Sequence, residues 1–162
     1  TGDGGRGADL AWCAGVGGRI AHVYSLARSD PRDIAGEDQI DLPGVGGEDE
    51  HTLAFLDIAP FEKGHALVVS KHHAAYFTDL PIASLGAMGR AVQHVAARLL
   101  EKLPCDGFNV LQNNGACATQ VVPHVHIHVV PRWNGKPINW IPGTYADPAQ
   151  ELVELQQRLT AP

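Results

Sequence analysis

Residues 123–131, PHVHIHVVP, constrain this chain more than any other segment. In a β-strand successive side chains point to opposite faces. One face then carries His124, His126 and His128, and the other Val125, Ile127 and Val129. Successive histidines stand about 6–7 Å apart along their face. An aliphatic face is what a core requires. A face of three histidines asks for another explanation, and three are open on the residues alone. The first is a solvated polar face. The second is a metal site, since imidazoles can supply the ligands of a catalytic zinc. Three residues in a straight row converge poorly on one ion, and two of them with a third ligand such as His65 would fit better. The third is nucleophilic catalysis, in which one neutral imidazole attacks while its neighbours orient it and bind the electrophile.

The surrounding sequence supplies a sheet for such a strand. Residues 51–58 (HTLAFLDI) and 65–70 (HALVVS) read as strands joined by a turn at 60–64. Asp79 is placed to cap a helix with Pro81 in its first turn. Leu85, Met88, Val92, Val95, Leu99 and Leu103 then form one apolar stripe at helical spacing, ended by Pro104. Residues 107–112 read as a third strand, Asn113-Asn114-Gly115 as a turn, and 121–130 as a fourth strand closed by Pro131. Asp147-Pro148-Ala149-Gln150 resembles a capping box ahead of Leu152, Leu155 and Leu159. The expected fold is α+β, a mainly antiparallel sheet with a central helix and a short C-terminal helix on one side. Upstream, residues 1–18 are dense in glycine, 20–26 alternate weakly, and 29–50 form an acidic Gly/Pro-rich loop. The division expected is a partly flexible segment at 1–50 and a catalytic domain at 51–162, one domain overall.

Composition narrows the classes. Of 162 residues 44% are apolar but only 6% aromatic, so aliphatic side chains and alanine must fill the core. A net charge of −6 with no basic run disfavours nucleic acid as a partner. A small phosphate ligand remains compatible, because backbone N–H groups and neutral histidines bind phosphate locally. No apolar run is long enough to span a bilayer, and no membrane partner is expected. Cys13, Cys105 and Cys117 include no CxxC pair, so neither a disulfide framework nor a cysteine zinc site is indicated. The chain reads as cytoplasmic, with the nucleus also open. A leader cleaved ahead of Thr1 would leave no trace.

HVHIHVV matches, at every position, the pattern His-apolar-His-apolar-His-apolar-apolar, and here the sequence resembles the histidine-triad (HIT) family. TLAFLDIAPFEKGHALVVSKHH and GFNVLQNNGACATQVVPHVHIHVVPRW extend the likeness over about residues 53–142, whereas the first fifty residues match poorly. The resemblance implies a HIT-like fold in which His126 attacks the α-phosphorus of a nucleotide and forms a nucleotidyl-histidine. The backbone carbonyl of His124 would hold the other ring proton of His126. His128 would donate to a phosphate oxygen, with His65 beside the same group and Asn113 facing the phosphate or leaving group. Asn114, Gly115 and the loop through Thr119 to Gln120 would supply backbone donors, and Asp57 would bind the ribose. Phe55, Ile58 and Leu67 would line the base pocket.

Plainer roles are available for several of these. Asp57 can simply end its strand, Asn113 can be a turn residue, and Phe55, Ile58 and Leu67 can be core. His22, His51, His72, His73 and His94 are read as surface or structural, and Lys71 as solvated. The implied ligand is a purine nucleotide or conjugate, the implied assembly a homodimer, and no metal or other cofactor is called for. The implied reaction releases a nucleoside monophosphate from a phosphoramidate, dinucleoside polyphosphate or similar conjugate. The alternative is a nucleotide-binding regulatory protein with weak catalysis. His128 argues against the branch that carries glutamine there, and Trp140 sits in a WIPG like that of the phosphoramidase group. Two departures stand out. Val121 occupies a place where the family commonly has Ser or Thr, and Thr119 one where glycine is frequent.

Overall fold

A computed structural model of the protein describes residues 48–162. The expectations for residues 1–47, among them the weak strand at 20–26, Cys13 and most of the acidic loop, lie outside the described residues. Four strands form one sheet: β1 (Thr52–Leu56), β2 (Ala66–Ser70), β3 (Gly107–Leu111) and β4 (His126–Arg132). Their order is β1-β2-β4-β3, and every neighbouring pair is antiparallel. Helix α1 (Ile82–Lys102) connects β2 to β3, and α2 (Pro148–Thr160) follows β4. The architecture is α+β, as the periodicities imply.

Alternation in the strands decides what faces the helices. Ala54 and Leu56 of β1, Ala66 and Val68 of β2, and Ile127 and Val129 of β4 turn to one side, where Met88, Val95 and Leu99 of α1 meet them. Leu152, Leu155 and Leu159 of α2 join the same core, and α2 packs on α1. Leu56, Met88 and Leu99 are at most 1% exposed. Burial of each such side chain contributes about 1.5–3 kcal/mol. Ala87, Ala91 and Ala96 are also buried, which lets α1 lie close to the sheet, while Leu85 and Val92 are only partly covered. Among the described residues no helix is long and apolar enough to cross a membrane.

The first three strands are trimmed by one to three residues relative to the sequence expectation, and three larger differences stand out. Asp79 does not cap α1: it lies in a single 3-10 turn, Phe77–Asp79, and the cap position is Pro81, which makes no side-chain bond. A Pro at a helix start needs no N–H there, so the missing donor costs nothing. The fourth strand starts at His126, not at residue 121, and runs through Pro131 to Arg132. Proline is tolerated because β2 accompanies β4 only from His126 to Val129; beyond that β4 is an edge on that side, with no partner for the absent N–H. The capping box at α2 is real but shifted. Asp147 accepts from the Gln150 N–H at 3.2 Å, while Glu151 makes the return bonds to the N–H groups of Ala146 and Asp147.

The turn before β2 depends on Gly64, whose φ is +96°. An L-residue there would be strained, and its Cβ would lie 2.6 Å from Leu103 Cδ1. Gly64 thereby sets the direction in which the chain enters His65 and β2.

Candidate active site

The face of the sheet turned away from the helices carries the histidines. Pairing places Phe55 opposite Leu67, Leu67 opposite His128, and His128 opposite Leu111, one row across four strands. The next row sets Leu53 opposite Val69 and Val69 opposite His126. Asn113 lies two residues past the end of β3, which closes at Leu111 opposite His128. Phe55 and Leu67 therefore share their face with His128, whereas Ile58 packs against the core cluster.

The histidine row is divided. His126 and His128 stand on β4, with ring centroids 4.9 Å apart and planes at 71°. His124 precedes the strand and is 7% exposed. Its Nε2 lies 2.6 Å from the carbonyl oxygen of Ser70, and its Nδ1 lies 3.1 Å from Nδ1 of His73. A carbonyl only accepts, so Nε2 of His124 carries the proton and Nδ1 accepts from His73. His126 Nδ1 lies 2.8 Å from the carbonyl oxygen of His124. By the same reasoning Nδ1 of His126 is protonated, and its Nε2 holds a free lone pair.

A second chain of contacts runs behind His128. His65, 1% exposed, places Nε2 at 2.9 Å from Nδ1 of His128. Its own Nδ1 accepts from the Phe61 N–H at 3.3 Å, and the Phe61 ring stacks on the imidazole at 5.0 Å and 16°. The Phe61 ring also meets Trp140 edge-on at 5.5 Å. Asp57, just past β1, accepts from the Ala59 N–H at 2.8 Å through Oδ1, with Oδ2 3.4 Å from His65 Nδ1.

Burial governs the charge states. It pushes His65 down to about 4, and with the neighbouring imidazoles it pushes His128 down to about 3. His126 and His124 are also lowered, mainly by burial, and Asp57 is raised for the same reason. The Asp57–His65 contact at 3.4 Å is consequently not an ion pair at neutral pH, because His65 is uncharged there. Asp57, His65 and His128 also offer ligand atoms within 4.8 Å of one another, an arrangement that could hold a metal ion. His65 Nε2 and His128 Nδ1 are already engaged with each other at 2.9 Å.

The loop after β3 is organised from within. Asn113 Nδ2 donates to Thr119 Oγ1 at 3.2 Å. Asn114 accepts from the Phe77 N–H at 2.8 Å and donates to the Gln112 side chain. The Gly115 N–H donates to Gln120 Oε1 at 2.6 Å, and Gln120 Nε2 donates to the Ala75 carbonyl at 2.8 Å. Asn114, Gly115 and Gln120 thus hold the loop against the segment after β2. Thr119 adopts φ 65°, and among the described residues it is the non-glycine residue with positive φ.

Phe61 and His73 were not legible as site residues in the sequence. Phe61 acts through its backbone N–H and a turn, which carry no residue signature. His73 lies in a His-His pair that only the fold brings onto His124. Lys71, read as solvated, bonds to Glu48 and to the Asp49 carbonyl. A cavity of 380 Å³ bordered by Phe61, Tyr145 and Glu151 is lined by none of the histidines.

The family model described as HIT domain matches residues 44–135. An adenosine 5'-monophosphoramidase of Schizosaccharomyces pombe is 38% identical over 125 residues, covering 75% of this chain and 90% of that protein. An uncharacterized HIT-like protein of Methanocaldococcus jannaschii is 48% identical over 88 residues, covering 54% of this chain and 67% of that one. The first curated relatives are spanned for 54–67% of their own length. A zinc-bound histidine triad family protein of Mycobacterium smegmatis superposes with a TM-score of 0.62 at 37% identity, over 72% of this chain and 84% of that one. With the matched domain spanning more than half of its residues, the chain belongs to the histidine-triad family.

Proposed function

We propose that this chain is a nucleotidyl hydrolase that acts at the α-phosphate of a nucleoside phosphoramidate, dinucleoside polyphosphate or similar conjugate. The observation that carries the reading is the bond from His126 Nδ1–H to the His124 carbonyl, which leaves a neutral imidazole with its Nε2 lone pair free. A lowered His126 pKa keeps that lone pair available at neutral pH. In the first step Nε2 forms a bond to phosphorus, and the bond to the leaving group breaks on the opposite side. The leaving group departs with the bonding electrons and, when it is an amine, takes a proton from water. Water then attacks phosphorus in the nucleotidyl-imidazolium and gives up a proton to solvent; the bond to Nε2 breaks, releasing the nucleoside monophosphate and neutral His126. Dividing one displacement into two is what covalent catalysis gains.

Other residues supply binding. Phe55 and Leu67, in line with His128, form an apolar surface for a purine base. Asp57 is an acceptor for the ribose hydroxyls, and Asn113 reaches the phosphate from the β3 side. The S. pombe relative bears the name of an enzyme acting on a nucleoside phosphoramidate, which supports that substrate class here. A homodimer fits the uneven cover of the sheet. α1 packs on β1, β2 and β4, while Phe108 and Val110 of edge strand β3 are 39% and 47% exposed.

The test is to incubate the chain with a substrate labelled at the α-phosphate and to denature it in alkali. Label retained on the protein, released by acid and absent from His126→Ala, is expected. A fully active His126→Ala overturns the reading. Tight nucleotide binding with no turnover of any conjugate selects the regulatory alternative.

A further inference from the structure

His65 is enclosed on every side, yet its two ring nitrogens both make contacts that matter for the neighbouring ring. We propose that His65 is a positioning residue that fixes the proton of His128 on Nε2, so that His128 meets a phosphate oxygen as a donor. The inference deepens the hydrolase reading and rests on it for its purpose.

The argument is one of donors and acceptors. A backbone N–H can only donate, so the Phe61 N–H at 3.3 Å makes His65 Nδ1 an acceptor. A neutral imidazole carries one proton, which then resides on His65 Nε2. That nitrogen lies 2.9 Å from His128 Nδ1 and donates to it. His128 Nδ1 is therefore the bare nitrogen, and the proton of His128 sits on Nε2. Burial keeps both rings neutral, which is the condition the reasoning requires.

The opposite assignment has a definite competitor. Asp57 Oδ2 lies 3.4 Å from the same His65 Nδ1 and would accept a proton from it. His65 Nε2 would then accept from His128 Nδ1, and His128 would show a bare Nε2. Two lone pairs, those of His126 and His128, would face an anionic phosphate together, and the site would lose its donor. The Phe61 N–H, which would then confront a second N–H, excludes this arrangement. Stacking of the Phe61 ring on His65 holds the imidazole in the plane that the relay needs. The two neighbouring rings on β4 thus end with opposite characters, a lone pair on His126 and an N–H on His128.

The proton positions are readable without turnover, because protonated and bare ring nitrogens have well-separated 15N shifts. In the histidine-labelled full chain at neutral pH, His128 is expected to show a bare Nδ1 and a protonated Nε2, with a coupling across the bond to His65. In His65→Phe, which retains a ring under Phe61 but no donor, His128 is expected to become a mixture of tautomers. kcat should fall about 10- to 100-fold with little change in KM. His65→Gln, whose amide can donate toward His128, should recover much of the loss. A wild-type His128 protonated on Nδ1 overturns the proposal, as does a His65→Phe protein with an unchanged His128 tautomer. If His65→Phe does not fold, the wild-type spectrum decides alone. The expected tautomer in a chain that turns over no nucleotide would sink the hydrolase reading while leaving the relay in place.

Discussion

His126 donates its Nδ1 proton to the carbonyl oxygen of His124, 2.8 Å away and two residues earlier in the chain. The His126 ring is thereby oriented by backbone and not by a side chain. The His124 ring does something else: it ties the lead-in to β4 onto Ser70 and His73. Replacing it with alanine keeps the carbonyl but leaves the buried Ser70 oxygen without its donor, at a cost of about 1–3 kcal/mol. His124→Ala should lose about 10-fold or less in kcat at a temperature where it stays folded, and His126→Ala on the order of 10³-fold or more. Equal losses in the two variants, measured by steady-state kinetics, would show that the His124 ring takes part directly.

Asp57 is an acceptor with a partly buried carboxylate, and on the proposed reading it recognises ribose. A hydrogen bond to a charged group is worth about 1.5–3 kcal/mol, about 10- to 150-fold in binding. Asp57→Asn should raise KM for a ribonucleotide conjugate by a factor in that range. It should also erase the preference for ribose over 2'-deoxyribose. Parallel kinetics on the two sugars check this, and an intact preference in Asp57→Asn removes Asp57 from the ribose site.

Elements whose signal is periodic were legible in the sequence. The alternation from His126 to Val129 and the stripe from Leu85 to Leu99 both survive in β4 and α1. Boundaries set by partners were not. Nothing in residues 121–125 says that pairing with β2 begins only at His126, and nothing local says that Pro131 falls where β2 has stopped. The site divides in the same way. His126 and His128 follow from spacing, whereas the links Phe61–His65–His128 and His73–His124 join residues 51 to 63 positions apart, or act through backbone. Residue type alone does not encode such contacts.

Gly64 couples the turn to the site because the next residue is His65. At φ +96° an alanine would be strained by about 1–3 kcal/mol, and its Cβ would also press on Leu103. Gly64→Ala should lower stability in urea by that amount. It should also reduce kcat, since His65 would enter β2 from a shifted turn. A stable variant with altered activity, or an unstable one with wild-type activity when folded, would uncouple the two.

Thr119 offers the opposite case. A β-branched residue at φ 65° carries about 1–2 kcal/mol of steric cost that glycine would relieve. The greater freedom of glycine in the unfolded chain offsets about 0.5–1 kcal/mol of the gain. Thr119→Gly should therefore be more stable by about 0.5–1 kcal/mol, and Thr119→Ala, still branched from Cα, should not be. Urea midpoints of the two variants settle this. A destabilised Thr119→Gly would mean that the bond from Asn113 to the hydroxyl outweighs the backbone strain.

Stability should fall in acid over a window set by the buried imidazoles. The folded state holds His65 down to about 4 and His128 down to about 3, against an ordinary value of 6.5. Between those limits the unfolded chain binds more protons than the folded one, so stability rises with pH there. The contribution is complete above pH 6.5 and is lost as pH falls from 6.5 toward 3. One pKa unit corresponds to about 1.4 kcal/mol, so the two rings together involve several kcal/mol. Asp57 works the other way: its raised pKa means that protonation relieves a buried charge, which offsets part of the loss near the acid end. Urea unfolding at a series of pH values should show a steep decline below 6.5 in the wild type and a shallower one in His65→Gln, which removes one of the two groups. Parallel profiles for the two proteins would mean that His65 is not held neutral by burial.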